Sequence, residues 1–413
     1  MRILTAADAE KRVRELAARG SQLGTVEGQV RKIVSAVRLR GDQALRRFAQ
    51  SWDGLKAGQS LRVDQQQIHD AWKTASPEFK SALREAAKNI TEFCKWQMPR
   101  EWTRTRKGLS VGQLVRPLGS VGCYVPGGRH PLVSTVLMTV IPAQVAGVKQ
   151  IRVVSPNPSM EVLAPAGMLG VTEFYRVGGA QAITALAYGT KSVPRVDKIV
   201  GPGNLYVTAA KKLVSFDCAI DFLAGPTEAV ILSDDGRPEF IAADLVAQAE
   251  HDVETLAVFI TTSRQLAKAV SRYVEQFSCS NVVARKSIRR NGVILLAQSE
   301  TQARDWANLL SPEHITVSRK NVAFIQNAGS IFVGDYSSQA AGDYLTGPNH
   351  VLPTAGVARF RGGLSVLDFV KLITIQEVSR PALRRISNSI EYLAETEDLR
   401  AHAESVRIRV ARA

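Results

Sequence analysis

The chain has 413 residues, with 53 Lys and Arg against 38 Asp and Glu, a formal charge of +15. A content of 45% hydrophobic and 22% charged residues is that of a folded globular chain and excludes disorder as the main state. Its length suits two or three domains of roughly 100–200 residues. Four cysteines with no CxxC spacing exclude a disulfide scaffold and a thiolate zinc ribbon.

In chain order, apolar residues at three-to-four spacing between turn signals predict helices over 6–19, 26–40, 42–52, 63–74 and 76–97. Pro99 closes the last, and 1–115 reads as mostly helical. The start, MRILTAADAEKRVREL, is charged from Arg2 and lacks the apolar stretch of a signal peptide, so a cytoplasmic location is expected. The longest uncharged run, 131–148, contains Ser134, Thr135, Thr139, Pro142 and Gln144. It falls short of the roughly 20 apolar residues of a span and reads as a buried strand–helix unit, with no membrane partner.

From Val115 the texture changes. Short β-branched runs at 121–125, 151–154, 174–177, 198–200, 229–232 and 258–262 alternate with Ala-rich segments at 135–145, 160–169, 180–187 and 204–212. This is the βαβ pattern, so the fold class is α/β, with parallel sheets covered by helices on both faces. Gly-rich joints stand where strands end: Pro126-Gly127-Gly128, Gly178-Gly179, Gly201-Pro202-Gly203 and Ala224-Gly225-Pro226. Ligands gather at such ends in open α/β sheets. A second α/β unit follows over about 227–363, and the tail after Leu364 reads as helical.

The basic residues are scattered, with short clusters at 38–47, 104–107 and 286–290. No RNA-recognition signature, finger or helix-turn-helix accompanies them and aromatics are 6%, so no nucleic-acid partner is expected. Attraction of an anionic cofactor is a sufficient use for some of the charge.

Chemistry narrows to a few constellations among six histidines: His69, His130, His251, His314, His350 and His402. Gln248 and His251 share a helix face at i,i+3 and can converge on a metal, although an ordinary helix face has the same spacing. Glu250 points elsewhere. Asp343, Tyr344, Asn349 and His350 lie on a Gly-punctuated loop, which suits a site or a turn cap with a satisfied His. Glu397 and His402 stand five apart near a helix end, where a solvated end is the plain alternative. Ser311-Pro312-Glu313-His314 pairs a carboxylate with an imidazole, the side chain best suited to proton transfer near neutrality. A turn with an exposed Glu reads equally well. Gly201-Pro202-Gly203-Asn204 supplies only the first half of a dinucleotide fingerprint, and no Walker A loop or nucleophile elbow occurs. Cys123 falls inside the apolar run 121–125 and reads as a core thiol rather than an aldehyde-oxidising nucleophile.

Taken together, RPLGSVGCYVPGG, IPAQVAG, VGGAQAI, VPRVDKIVGPGN, IDFLAGPTE, DLVAQAEHD, SPEHI, AGSIFVGDYSSQAAGDYLTGPNHVLPT and EDLRAHAESVRIRV run in order over 116–410 and resemble histidinol dehydrogenases. The resemblance implies one zinc ion per subunit, held by Gln248, His251, Asp343 and His402. It implies Glu313 and His314 as the catalytic pair, and Tyr124, Gln181 and Asn204 as NAD contacts. Substrate-binding positions would be Thr227, Gln248, His251, His314, Asp343, His350, Glu397 and His402. Thr227 stands where serine is common, and both keep the hydroxyl.

The implied architecture is two Rossmann-like domains in a domain-swapped homodimer with shared active sites. A helical arm, 1–20, precedes a discontinuous first domain, 21–121 with 228–363, and an NAD-binding second domain, 122–227. The tail, 364–413, would complete the partner subunit's site. The implied reaction is oxidation of L-histidinol to L-histidine through L-histidinal with two NAD, in histidine biosynthesis. The same scaffold resembles dehydrogenases of other small polyols, including a sulfopropanediol. Glu397 favours histidinol, because a carboxylate receives an imidazole N–H and repels a sulfonate. A zinc hydrolase with Glu313 as base is the alternative from another class, and it leaves the NAD-matching positions idle.

Overall fold

The computed structural model describes residues 1–20, 23–127 and 131–411, so Gly128 and His130 of the sequence reading lie outside the described residues. Contacts divide the chain into two compact units, Met1–Gln97 with Leu118–Phe369, and Met98–Pro117 with Val370–Ala413.

The first unit contains two parallel sheets. One has six strands in the order Arg2–Thr5, Val293–Leu296, Leu256–Thr261, Glu228–Leu232, His314–Val317 and Ser330–Val333. Every neighbouring pair in it is parallel. Strands Glu228–Leu232 and Leu256–Thr261 are buried along their whole length, as in a sheet covered on both faces. That is why they read as unbroken apolar runs rather than alternating ones. Successive side chains still feed opposite cores. Val230, Leu232, Val258 and Ile260 pack with Val13, Leu16 and Trp306. Ile231, Ala257 and Phe259 pack with Ile241, Leu245, Val270 and Val274.

The second sheet has five parallel strands in the order Glu173–Tyr175, Gln150–Val154, Ser120–Tyr124, Lys198–Val200 and Ala219–Ile220. Its core includes Ile183, Leu186, Val207 and Ala210 from the helices Gly179–Tyr188 and Leu205–Val214. Helices Gly24–Arg40 and Asp42–Trp52 bury Val30, Ile33, Val37, Leu45 and Ala49 in that same core.

In both sheets the strand order reverses beside the first strand of the βαβ run. The reversal lies between Ser120–Tyr124 and Lys198–Val200 in one, and between Glu228–Leu232 and His314–Val317 in the other. Gly201 follows the strand at the first reversal with φ +111°, and a Cβ there would stand 2.1 Å from the Tyr124 carbonyl oxygen. Only glycine fits that approach.

The second unit is a three-stranded antiparallel sheet, in the order Val370–Val378, Leu109–Pro117 and Trp102–Arg106, with helices Arg380–Thr396 and Arg400–Val410. Among the described residues, five helices between Ala6 and Gln97 match the mostly helical reading of 1–115, which nevertheless missed three strands, and the helical reading of the tail missed a fourth. Arg2–Thr5 is a strand at the edge of the six-stranded sheet, Trp102–Arg106 and Leu109–Pro117 form a hairpin, and Val370–Val378 extends it. Each is short or mixes polar and apolar residues, so the surrounding helical pattern hid it. Among the described residues, no helix is long and apolar enough to cross a membrane.

Candidate active site

The helix Glu300–Leu310 ends in a turn at Ser311, whose φ of +48° is left-handed. Arg359 braces this turn through Nε to Ser311 Oγ at 3.0 Å and Nη2 to the Leu309 carbonyl at 2.6 Å. Satisfying those end carbonyls closes the helix, and Pro312 prevents its continuation. Glu313 and His314 are thereby delivered to the buried start of the strand His314–Val317.

Both side chains are almost fully enclosed. The Glu228 backbone N–H donates to Glu313 Oε2 at 3.1 Å. Nδ1 of His314 lies 3.8 Å from Glu313 Oε2, and Nε2 lies 3.4 Å from Asp343 Oδ1. Among the described residues neither ring nitrogen has a hydrogen-bond partner, although both are buried. The ring stacks on Phe332 with centroids 5.8 Å apart. Burial pushes the Glu313 carboxyl up to about 7 against the pull of His314. Burial alone would lower the His314 imidazole, but Glu313 and Asp343 outweigh it and raise it. The two are so close that their protons are shared as a coupled pair.

Gln248 is buried at the end of the helix Pro238–Ala249 and donates its amide nitrogen to Asp343 Oδ2 at 3.1 Å. Asp343 sits on the short helix Gln339–Tyr344, and its carbonyl meets His350 Nδ1 at 2.7 Å. Burial opposes the charge on Asp343, yet His314, His350 and His251 hold it below the ordinary carboxylate range. Burial lowers His350 against the pull of Asp343. His251 is exposed and its backbone N–H donates to the Gln248 carbonyl at 3.3 Å. Glu250 turns away and accepts from Asn281 at 3.0 Å.

Among the described residues, no group of three His, Cys, Asp or Glu side chains is arranged to hold a metal. Gln248, His251 and Asp343 nevertheless gather an amide oxygen, an imidazole and a carboxylate in one neighbourhood. These are donor types that Zn²⁺ accepts, one short of the usual four. His402 and Glu397 belong to the second unit, where both are exposed. Thr227 is half-buried beside Glu228, and its carbonyl accepts from Leu256 N at 2.9 Å.

The residues matched to NAD lie at the carboxyl ends of strands in the five-stranded sheet. Tyr124 is buried, its hydroxyl accepts from Gly179 N at 3.0 Å, and burial pushes it up to about 12. Gln181 donates to Asp53 Oδ2 at 3.0 Å. Asn204 caps the helix Leu205–Val214, accepting from Tyr206 N at 3.0 Å and Val207 N at 3.1 Å. Cys123 is fully buried and its thiol is pushed up to about 12 by that burial, so it is no nucleophile.

The sequence reading passed over four side chains. Asp244, one turn before Gln248, is pushed up to about 6 mainly by burial. Glu228 is held in a two-bond pair by Arg19, at 2.6 and 2.7 Å. Asp53 stands alone after a helix. Glu228 follows Thr227 directly, so a signal existed for it; none existed for Arg19 or Asp53.

Fold and site together define an α/β enzyme with a buried carboxyl–imidazole pair beside metal-donor side chains. The family model described as histidinol dehydrogenase matches residues 17–410. A histidinol dehydrogenase of Methanothermobacter thermautotrophicus is 46% identical over 417 residues, covering 97% of each chain. One from Aquifex aeolicus is 41% identical, covering 97% of this chain and 96% of its own. The crystal structure of histidinol dehydrogenase from Elizabethkingia anophelis superposes with a TM-score of 0.93 at 33% identity, over 99% of this chain and 98% of that one. The chain belongs to the histidinol dehydrogenase family of NAD-dependent oxidoreductases. An acetylating aldehyde dehydrogenase from Geobacillus thermoglucosidasius, 12% identical over 89% of this chain and 96% of that one with a TM-score of 0.50, shares the fold alone.

Proposed function

We propose that this chain oxidises L-histidinol to L-histidine through L-histidinal, using two NAD and one zinc ion per subunit, as a cytoplasmic enzyme of histidine biosynthesis. The observation that carries this reading is the enclosed Glu313–His314 pair set against Asp343, with both imidazole nitrogens left without a hydrogen bond. An unsatisfied buried imidazole is costly, and its use here is to exchange a proton with substrate.

Gln248, His251, Asp343 and His402 would hold the metal, and Tyr124, Gln181 and Asn204 would contact the dinucleotide. When bound, NAD takes up the electrons and zinc orients the substrate amine and imidazole. His314 takes the alcohol proton, and the carboxyls facing its two nitrogens stabilise the imidazolium that forms. Glu313, poised near neutrality, then draws a proton from the water that adds to the aldehyde. His350 and the Thr227 hydroxyl complete the substrate's polar contacts, and Glu397 accepts its imidazole N–H. Enclosure of the pair keeps bulk water from the reactive aldehyde.

In this reading the five-stranded sheet carries the NAD-binding domain and the six-stranded sheet, with Arg2–Thr5 at its edge, the other, while the tail delivers Glu397 and His402 to the second copy of a homodimer. The apolar side chains Leu372, Ile373, Ile375, Tyr392, Leu393 and Ile408, exposed on the second unit, support such an assembly. The test is NADH formation by the zinc-loaded protein with L-histidinol. Two NADH per substrate, abolished by a chelator and restored by zinc, are expected. No NADH from histidinol, with turnover of a sulfonated diol instead, overturns the substrate assignment.

A further inference from the structure

Asp53 follows the helix Asp42–Trp52, far in sequence from the residues matched to the cofactor. Its Oδ2 accepts from Gly178 N and from Gln181 Nε2, each at 3.0 Å. It is buried, and among the described residues only those two hydrogen bonds offset the burial and no cation compensates it. A buried carboxylate without a cation is expensive. Capping Gly178 alone does not require it, since a Ser or Asn caps a helix equally well.

What the carboxylate adds is a fixed orientation for the neighbouring amide. An amide has a donor end and an acceptor end, and a carboxylate accepts only. Asp53 therefore commits the nitrogen of Gln181 inward and leaves Oε1 as the free end. Gly179, with φ +60°, leaves the room, because a Cβ there would stand 2.7 Å from Gln181 Oε1. The start of the helix Gly179–Tyr188 would otherwise offer open N–H groups to an anion. Here Gly178 N–H goes to Asp53 and Gly179 N–H goes to the Tyr124 hydroxyl. A ligand at this end of the strands therefore meets the Gln181 amide oxygen and the Tyr124 hydroxyl beside the helix N–H groups that follow Gly179.

We infer that Asp53 is a positioning residue of the cofactor site, acting through Gln181 by fixing which end of its amide faces the dinucleotide. This rests on the assignment of Gln181 to NAD. Asp53 touches neither cofactor nor substrate, and it makes the site selective for a hydrogen-bond donor at that point, such as a hydroxyl or carboxamide N–H.

The test is calorimetric NAD binding to the purified full chain, with steady-state kinetics alongside. Asp53→Ala is expected to weaken NAD binding about tenfold, the scale of a hydrogen bond to a charged group. Its KM for histidinol should stay unchanged. Gln181→Ala should weaken NAD similarly, and the double variant should bind no more weakly than Gln181→Ala alone. Asp53→Asn should stay within about threefold of the parent, because its amide oxygen can still accept both N–H groups. Should Asp53→Ala fail to fold, Asp53→Ser, which removes the Oδ2 acceptor shared by Gly178 and Gln181 but keeps a polar side chain in that space, should lose NAD affinity while its circular-dichroism spectrum stays that of the parent. NAD binding by Asp53→Ala or Asp53→Ser equal to the parent overturns the inference, as do losses that multiply in the double variant. If the parent chain itself takes up no NAD, the assignment of Gln181 falls and this inference with it.

Discussion

Replacing Arg19 by alanine tests whether the catalytic carboxyl depends on the strand start beneath it. Arg19 lies just beyond the helix Ala6–Ala17 and forks onto Glu228 with bonds of 2.6 and 2.7 Å, while Nη2 also reaches the Leu310 carbonyl at 2.8 Å. Glu228 Oε1 further accepts from Ala355 N at 2.9 Å, and the Glu228 backbone N–H is the donor that holds Glu313. The pair ties the first helix, the turn before Glu313 and the strand Glu228–Leu232 into one block. Glu228 keeps 4% of its side-chain surface and Arg19 18%. Arg19→Ala leaves a charge with no cation in a nearly closed space, which costs about 3–5 kcal/mol for a fully buried pair. Partial access of water on the Arg19 side places this case near the lower figure, about 3 kcal/mol. At about 2 °C per kcal/mol for a body of this size, the melting temperature should fall by about 6 °C. Arg19→Met with Glu228→Leu removes both charges and should recover most of that loss, since the desolvation penalty goes with them. Turnover should stay low in the double variant if its altered strand start no longer holds Glu313. The measurements are a circular-dichroism melt and initial NADH rates for both single variants and the double. A melting shift below about 2 °C in Arg19→Ala, or a double variant less stable than either single one, refutes the reasoning.

His314→Ala should lower the overall rate about a thousandfold, the scale of a lost general base, while zinc content stays at the parent level; loss of zinc would make His314 a ligand. Glu313→Gln should harm aldehyde oxidation more than alcohol oxidation when each half-reaction is followed from its own substrate, and equal damage removes its role with water. His402→Asn should lower zinc content measured after dialysis. Mixing it with His314→Ala protein should restore part of the activity if the sites are shared, and no restoration despite proven subunit exchange counts against a crossing tail. Burial works against the charge of Asp368, yet Lys198 at 2.9 Å, the Ser365 backbone N–H and Arg361 hold its carboxyl below the ordinary range. A depressed folded value means the stabilisation is present above the unfolded value, about 4, and is lost as pH falls through the folded one. Urea midpoints of the parent should therefore drop as pH falls below about 4 more steeply than those of Asp368→Asn, and parallel curves exclude the contribution.

How much of this was legible in the sequence depends on what each feature needs. Periodicity is local, so the helices over 26–40 and 42–52 and the βαβ run from 121 onward stood out. Which sheet those helices cover is a long-range fact: Val30, Ile33 and Leu45 pack against Ile183 and Val207, and no residue among them names its partner. The strand Arg2–Thr5 was hidden because four residues carry too little pattern, and it exists only by pairing with Val293–Leu296. The site behaves likewise. Gly-rich joints directed attention to the carboxyl ends of strands, and Tyr124, Gly179 and Gly201 do lie there. Glu313 and His314 stand at the opposite, amino-terminal edge of their strand. Topology explains that placement. The helix Pro238–Ala249 connects the parallel neighbours Glu228–Leu232 and Leu256–Thr261, so it must run back along the sheet and bring its last turn to the edge where strands begin. Gln248 and His251 arrive at that edge, and Gln339–Tyr344, following the strand Ser330–Val333, brings Asp343 to it as well. Beside the reversal of strand order between Glu228–Leu232 and His314–Val317, these donors meet the catalytic pair. A one-dimensional motif records that Gln248 and His251 are three apart; only the order of the strands decides that His314 is what they face.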